Sequence, residues 1–421
     1  MGLTMSEKRA VAAVTAPGYQ SAGKKQKGVI LGQFIELTGY SRRYASRLLR
    51  QHGKAIRSGK VRIVGDLSKK SERGRRAIYD GDVLAALKKL WMIMDCICGK
   101  RLRAALPELI KALKRNFEIT LSEKTEQKLL KISAATIDRL LSSERKKVAL
   151  KSRSGTKPGT LLKHQIAVRT FSDWSEDKPG FVEMDLVGHD GGDGSGDFCQ
   201  SLDVTDVCTT WTETRGVQNK AQVWVFKALT EIRKALPFQL LGIDSDNGGE
   251  FINHELYRYC IKEHITFTRS RPNRKNDNCF VEEKNYSVVR RNVGYRRYDT
   301  PAELATLNEL YGYLRLYTNF FLPTMKLVGK ERSGSRVKKT YDGPLTPYAR
   351  VLASADVSGK DKKRLREIYQ ELNPAELKRN IITSQEKLMR LNEAKQKSRA
   401  DKQRRLKSKP KGSGITQPRP L

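Results

Sequence analysis

The chain has 421 residues, 82 Lys and Arg against 46 Asp and Glu, and a formal net charge of +36. Its 38% apolar content, with 12 Phe, 15 Tyr and 4 Trp, supports at least one sizeable core and excludes wholesale disorder. No stretch approaches the ~18 uninterrupted apolar residues of a membrane span, and the N-terminus lacks the apolar run of a signal peptide. Six scattered cysteines are too few for a disulfide scaffold, so a cytoplasmic protein with no membrane partner is expected. Cys96 and Cys98 sit one residue apart without a nearby His pair, so zinc is not expected either.

Charge is unevenly placed. Residues 175–300 hold 17 basic and 20 acidic residues, whereas the flanks hold 65 basic and 26 acidic ones. Basic arms of this kind bind polyanions by releasing condensed counterions, which makes DNA the expected partner.

In chain order, residues 1–26 are rich in Ala, Gly, Ser and Lys and read as a loose leader. From Gly28 to Gln51, Ile30, Phe34, Ile35 and Leu37 recur at helical spacing. Thr38-Gly39-Tyr40 then makes a turn, and Ser41 opens a second helix with Tyr44, Ala45, Leu48 and Leu49 inward. This is a helix-turn-helix pattern that places Arg42, Arg43, Arg47 and Arg50 outward, where a recognition helix meets the major groove. Helices are predicted over Asp80–Cys98, Arg101–Asn116 and Thr125–Leu130, and Ser133 caps a further one, giving a second helix-turn-helix-like unit across residues 61–150. Residues 151–174 have linker composition.

The centre changes period. Strands are predicted at Phe181–His189, Phe198–Asp206 and Thr209–Val217, then helix Lys220–Leu236, strand Gln239–Asp244, helix Asn253–His264, strand Ile265–Arg269 and helix Asp277–Asn292. That order implies a mixed sheet with helices on its faces. Beyond residue 301 a helix (Ala302–Tyr317) leads into a basic C-terminal region. It contains a long charged helix and a disordered end, and Lys378 to Lys411 is expected to grip phosphates without reading bases.

Three carboxylates stand out. Asp185 lies on the first central strand, where alternation sends Val182, Met184 and Leu186 to one face and Glu183 and Asp185 to the other. Asp246 follows a later strand, and Glu282 lies on the helix after a basic loop. Oxygen-only ligands converging from strand ends and a helix select hard cations such as Mg2+, with Mn2+ plausible. Two such ions ~3.5–4 Å apart would stabilise the attacking and leaving oxygens of a phosphodiester without a protein nucleophile. By spacing alone Asp244 competes with Asp246 and Glu283 with Glu282, although adjacent helical residues cannot both point at one site.

The contexts MDLVGH, SDNGGEF and DNCFVEEKN, with 60 and 35 residues between successive acids, resemble the catalytic core of the DDE transposase and retroviral integrase superfamily. The resemblance covers about residues 175–300 and implies a ribonuclease-H-like core, with the family's Asp, Asp and Glu falling on Asp185, Asp246 and Glu282. It favours Asp246, which alone has the Asp-Asn-Gly context, and Glu282. The upstream helix-turn-helix and the basic tail look like bacterial insertion-sequence transposases, and the zinc-binding domain of retroviral integrases is absent.

What the resemblance implies is metal-dependent hydrolysis at an element end, followed by attack of the freed 3′-OH on target DNA. It also implies a homo-oligomer on DNA, a nucleoid-associated location and no nucleotide cofactor. Asn278, Lys284 and Asn285 share the neighbourhood of Glu282, and Arg271, Arg274 and Lys275 lie just before it; all six are candidate DNA contacts, as are the nearby Arg269, Arg290 and Arg291. His189 and His254 are not required as bases. The alternatives are a sequence-specific metal-dependent nuclease and a catalytically inactive DNA-binding regulator.

Overall fold

The computed structural model describes residues 3–58, 61–64, 78–148, 167–169, 178–246, 248–270 and 278–407. They form two compact units, 1–78 and 79–421. The first is helical. Helices α1 (Met5–Ser21), α2 (Lys24–Thr38) and α3 (Arg42–Gln51) are followed by a hairpin of β1 (Ala55–Ser58) and β2 (Val61–Val64).

The expected loose leader is therefore mostly a helix. Thr4 and Glu7 form a capping box at its start. Ala12, Ala16 and Tyr19 recur at helical spacing and bury against Leu31, Phe34, Ala45 and Leu49. Alanine is so weakly apolar that this face is easily overlooked in composition. Gly39 ends α2 with φ +67°, a conformation that favours glycine, and the Ser41 hydroxyl accepts the Tyr44 N–H to start α3. Tyr44, expected inward, is exposed, and so is Leu37 of the first helix's apolar spacing, while Leu31 and Thr38 are buried.

The second unit opens with α4 (Gly81–Ile93), α5 (Gly99–Arg115), α6 (Glu123–Lys131), α7 (Ala134–Leu140) and α8 (Ser142–Val148). The first four of these share one core that includes Leu87, Leu106, Leu129 and Ile137. Gly99 has no room for a side chain, because an added Cβ would lie 2.4 Å from the Ala134 carbonyl oxygen, so α5 and α7 meet at backbone distance.

The central sheet contains β3 (Ala167–Arg169), β4 (Phe181–Gly188), β5 (Gln200–Asp206), β6 (Thr212–Val217), β7 (Gly242–Ser245) and β8 (Thr266–Ser270), in the order β3-β8-β7-β4-β5-β6. Strands β4, β7 and β8 run parallel, and β5 runs antiparallel to both β4 and β6. Strands β4 to β8 make a mixed five-stranded sheet with flanking helices, which fits a ribonuclease-H-like core. Between them lie α9 (Gln222–Ala235) and α10 (His254–Lys262).

Val182, Met184, Leu202, Val204 and Ile243 bury in one cluster with Val225, Leu229 and Ile232 of α9 and with Leu256 and Cys260 of α10. The sheet's other face carries Glu183, Asp185, Ser201 and Asp203. Alternation sends Glu183 and Asp185 there, but most of the face is closed to water: Glu183, Ser201 and Asp203 are buried and Asp185 is half-buried. The face is covered by α11 (Cys279–Lys284) and by α13 (Pro301–Phe321), whose Tyr311 hydroxyl lies 2.5 Å from the Ser201 hydroxyl.

After α11 the chain winds through a π-helical segment, Asn285–Arg290, into α12 (Arg291–Val293). The C-terminal region holds a hairpin of β9 (Leu327–Ser333) and β10 (Arg336–Tyr341), then α14 (Pro347–Ala353), α15 (Gly359–Glu371) and α16 (Pro374–Lys407). Roughly the first two thirds of α16 is not a free basic tail. Leu377, Ile381 and Leu388 are buried in the sheet's core cluster, and Lys395 pairs with Asp299 at 3.0 Å and Glu303 at 2.7 Å. Among the described residues no helix is long and apolar enough to cross a membrane, and all six cysteines are free thiols.

Candidate active site

Parallel pairing sets the site. Met184 of β4 is in register with Ser245 of β7, so the next residues, Asp185 within β4 and Asp246 just past the end of β7, stand side by side. The Asp185 carboxylate accepts the Leu186 N–H at 2.8 Å and the Asn285 side-chain amide at 2.7 Å. Burial pushes it up to about 7, and the neighbouring Asp246 charge adds to this, with a smaller contribution from Glu282. Asp246 is also raised by burial and accepts the Gly248 N–H at 2.8 Å.

Glu282 is exposed on α11, three residues before the Asn285 that holds Asp185. Glu283 points elsewhere, 2.9 Å from the Lys284 ammonium and in the field of Arg101. The π-helical turn after Lys284 shifts the register, so that Val288 and Val289 both bury.

Whether a divalent cation fits can be judged from the donors. Asp185, Asp246 and Glu282 offer only carboxylate oxygens, and their crowding, felt as the raised Asp185, is what a bound cation relieves. Among the described residues no three His, Cys, Asp or Glu side chains are gathered tightly enough to form a finished metal cage. The fit is therefore one of chemistry and placement.

Other expected contacts divide. Arg42, Arg43, Arg47 and Arg50 are exposed on α3, with Arg47 3.4 Å from Gln51 and Arg50 3.1 Å from Ser46. Lys284 departs from expectation: its side chain is only 4% exposed, so it cannot serve as a surface phosphate contact. Asn278 is buried, and the Asn285 amide is committed to Asp185. Arg269 is buried as well. Arg290 donates to the Gly188 carbonyl at 2.8 Å, and Arg291 pairs with Asp95 at 3.0 Å. Arg271, Arg274 and Lys275 lie outside the described residues. His189 is buried with Nε2 2.7 Å from the Ser201 hydroxyl, while His254 is exposed at the start of α10.

Two acids at the site carry no functional mark in the sequence. Asp203 faces Asp185 across β4 and β5, accepts the Thr214 hydroxyl at 2.9 Å and leaves its other oxygen without a partner. Burial pushes it up to about 7, against the Thr214 hydrogen bond and the Lys284 charge. Glu183 is wholly buried on the same face. The strand period of two along Ser201, Asp203 and Thr205 carries that signal, but twenty acids in residues 175–300 dilute it.

No family model matches the chain. Solved structures similar to it include the catalytic core domain of BIV integrase, 16% identical, covering 40% of this chain and 91% of that one with a TM-score of 0.26. The HTLV-2 integrase catalytic core domain in complex with magnesium is also similar, 14% identical, covering 35% and 90% with a TM-score of 0.27. At such scores the fold assignment rests on the strand order above. The "Uncharacterized protein y4rM" of Sinorhizobium fredii (strain NBRC 101917 / NGR234) is 39% identical over 332 residues, 79% of this chain and 91% of that protein. The chain belongs to the y4rM family.

Proposed function

We propose that the protein is a DNA transposase of the bacterial insertion-sequence kind, which cleaves element ends and joins the 3′-OH to target DNA. The observation that carries this reading is the register of β4 and β7, which sets Asp185 and Asp246 side by side, with the helix of Glu282 held to Asp185 through Asn285. Asp185, Asp246 and Glu282 would hold Mg2+ or Mn2+, which when bound supplies Lewis-acid activation of a phosphodiester. Asn285 orients the Asp185 carboxylate, and Leu186 N–H fixes its other oxygen. The exposed arginines of α3 are suited to reading element ends, and the flanking positive charge to holding both element and target, with more than one copy on the DNA.

The test is a strand-transfer assay on DNA from either side of the coding region. Asp185→Asn, Asp246→Asn and Glu282→Gln should each abolish cleavage and joining while DNA binding persists, and Glu283→Gln should remain active. Cleavage without joining would indicate a nuclease. Binding without either, in wild type, would indicate a regulator. Activity that persists in EDTA, or survives all three substitutions, would overturn the proposed chemistry.

A further inference from the structure

Helix α11 has only six residues, yet it must hold Glu282 at a fixed height above the sheet. Its own N-cap residue, Asn278, supplies no side-chain cap hydrogen bond. The capping acceptor comes instead from the strand beneath. Glu183 Oε2 accepts the N–H of Phe280 at 2.8 Å and of Val281 at 2.9 Å, from a position about a hundred residues earlier in the chain. Those amides belong to the first turn of α11, where donors lack a helical partner.

Glu183 is wholly buried and sits two residues before Asp185 on the same face of β4. One turn later, Asn285 donates to Asp185 at 2.7 Å. The helix is thus pinned to one strand at two points, with Glu282 between them.

We infer that Glu183 is a positioning residue, which sets the height and rotation of Glu282 relative to Asp185 by capping α11 from β4. This deepens the transposase reading and rests on it for the catalytic arm of the test only. Glutamine at 183 keeps the side-chain length and an oxygen that can accept both amides, but is not an acid. Aspartate keeps the carboxyl but is one methylene too short to reach them.

The experiment compares Glu183→Gln and Glu183→Asp in the full chain. It measures strand cleavage against Mg2+ concentration, affinity for DNA, and the rate at which iodoacetamide alkylates Cys279, the half-buried first residue of α11. Glu183→Gln should stay near wild type in all three. Glu183→Asp should lose about 10–100-fold in activity or in apparent Mg2+ affinity, as removal of a group supporting a metal ligand does, with unchanged DNA affinity and faster Cys279 alkylation.

An active Glu183→Asp, or a Glu183→Gln as impaired as Glu183→Asp, would overturn the inference, the second result meaning that the acid group itself is used. Should wild type show no metal-dependent cleavage, the transposase reading fails and the alkylation arm still decides. Faster labelling in Glu183→Asp than in Glu183→Gln supports the capping role, and equal rates refute it.

Discussion

At the scale of single residues, burial converts several polar groups from reagents into structural parts. His189 is held neutral: burial lowers it to about 3, and the Arg290 cation works in the same direction. The unfolded chain binds that proton near 6.5, so the unfolded state gains protons first as pH falls. His189 therefore contributes full stability above about 6.5 and loses it, by up to ~1.4 kcal/mol per pH unit, as pH falls toward about 3. Between pH 6.5 and 4.5, His189→Gln should lose less stability than wild type in urea unfolding, and an identical loss would show that His189 is not the titrating group. Lys284 is the second case. Replacing it by Ala strands Glu283 and removes the cation facing Asp203, so thermal unfolding should register a loss of roughly 1–3 kcal/mol, less than a fully buried pair because Glu283 keeps contact with water. The salt dependence of DNA binding should not change, as it would if Lys284 met a phosphate.

At the scale of elements, α16 shows how a charged helix can be part core and part arm. Its early cations are spent within the protein: Lys378 on Asp95 at 2.9 Å, Arg379 on Glu118 at 2.6 Å and Lys395 on Asp299 and Glu303. Removing the chain after Pro374 would therefore not be a clean deletion of a phosphate grip. Loss of Leu377, Ile381 and Leu388 alone should cost roughly 1.5–3 kcal/mol each, enough to unfold a marginal domain. Stopping after Ala400 leaves those leucines and the isoleucine in place. That truncation should keep its melting temperature while the salt slope of DNA binding flattens by ~0.9 for each phosphate no longer neutralised, equally on element ends and random duplex. An unchanged slope would show that the last residues do not touch DNA.

At the scale of the whole molecule, the two units have separate cores: Phe34 and Leu49 stand in the first, while the second holds both the helical core of Leu87 and Leu106 and the sheet with its covering helices. Residues 79–421 expressed alone should thus give a cooperative unfolding transition, and failure to do so would mean that the first unit is needed for folding. If α3 supplies address, this fragment should lose its preference for element ends over random DNA. Arg43→Ala with Arg47→Ala in the full chain should reproduce the loss, at ~1–3 kcal/mol per base recognised, in a competition assay.

The order of strands and helices in residues 175–300 was legible because periods of 2 and 3.6 are local properties of side chains, and the three acidic contexts are local strings. So was the Ser41 cap with Gly39 before it, since capping and positive φ are decided within a few residues. Long-range pairing was not local and could not be read. The register that sets Asp185 beside Asp246, the burial of Lys284 and the docking of α16 each depend on which surfaces meet. What covers the polar face of β4 was not legible for the same reason. Alternation reports that Glu183 and Asp185 share a side, but whether water or a helix amide lies above them is determined by a segment about a hundred residues away.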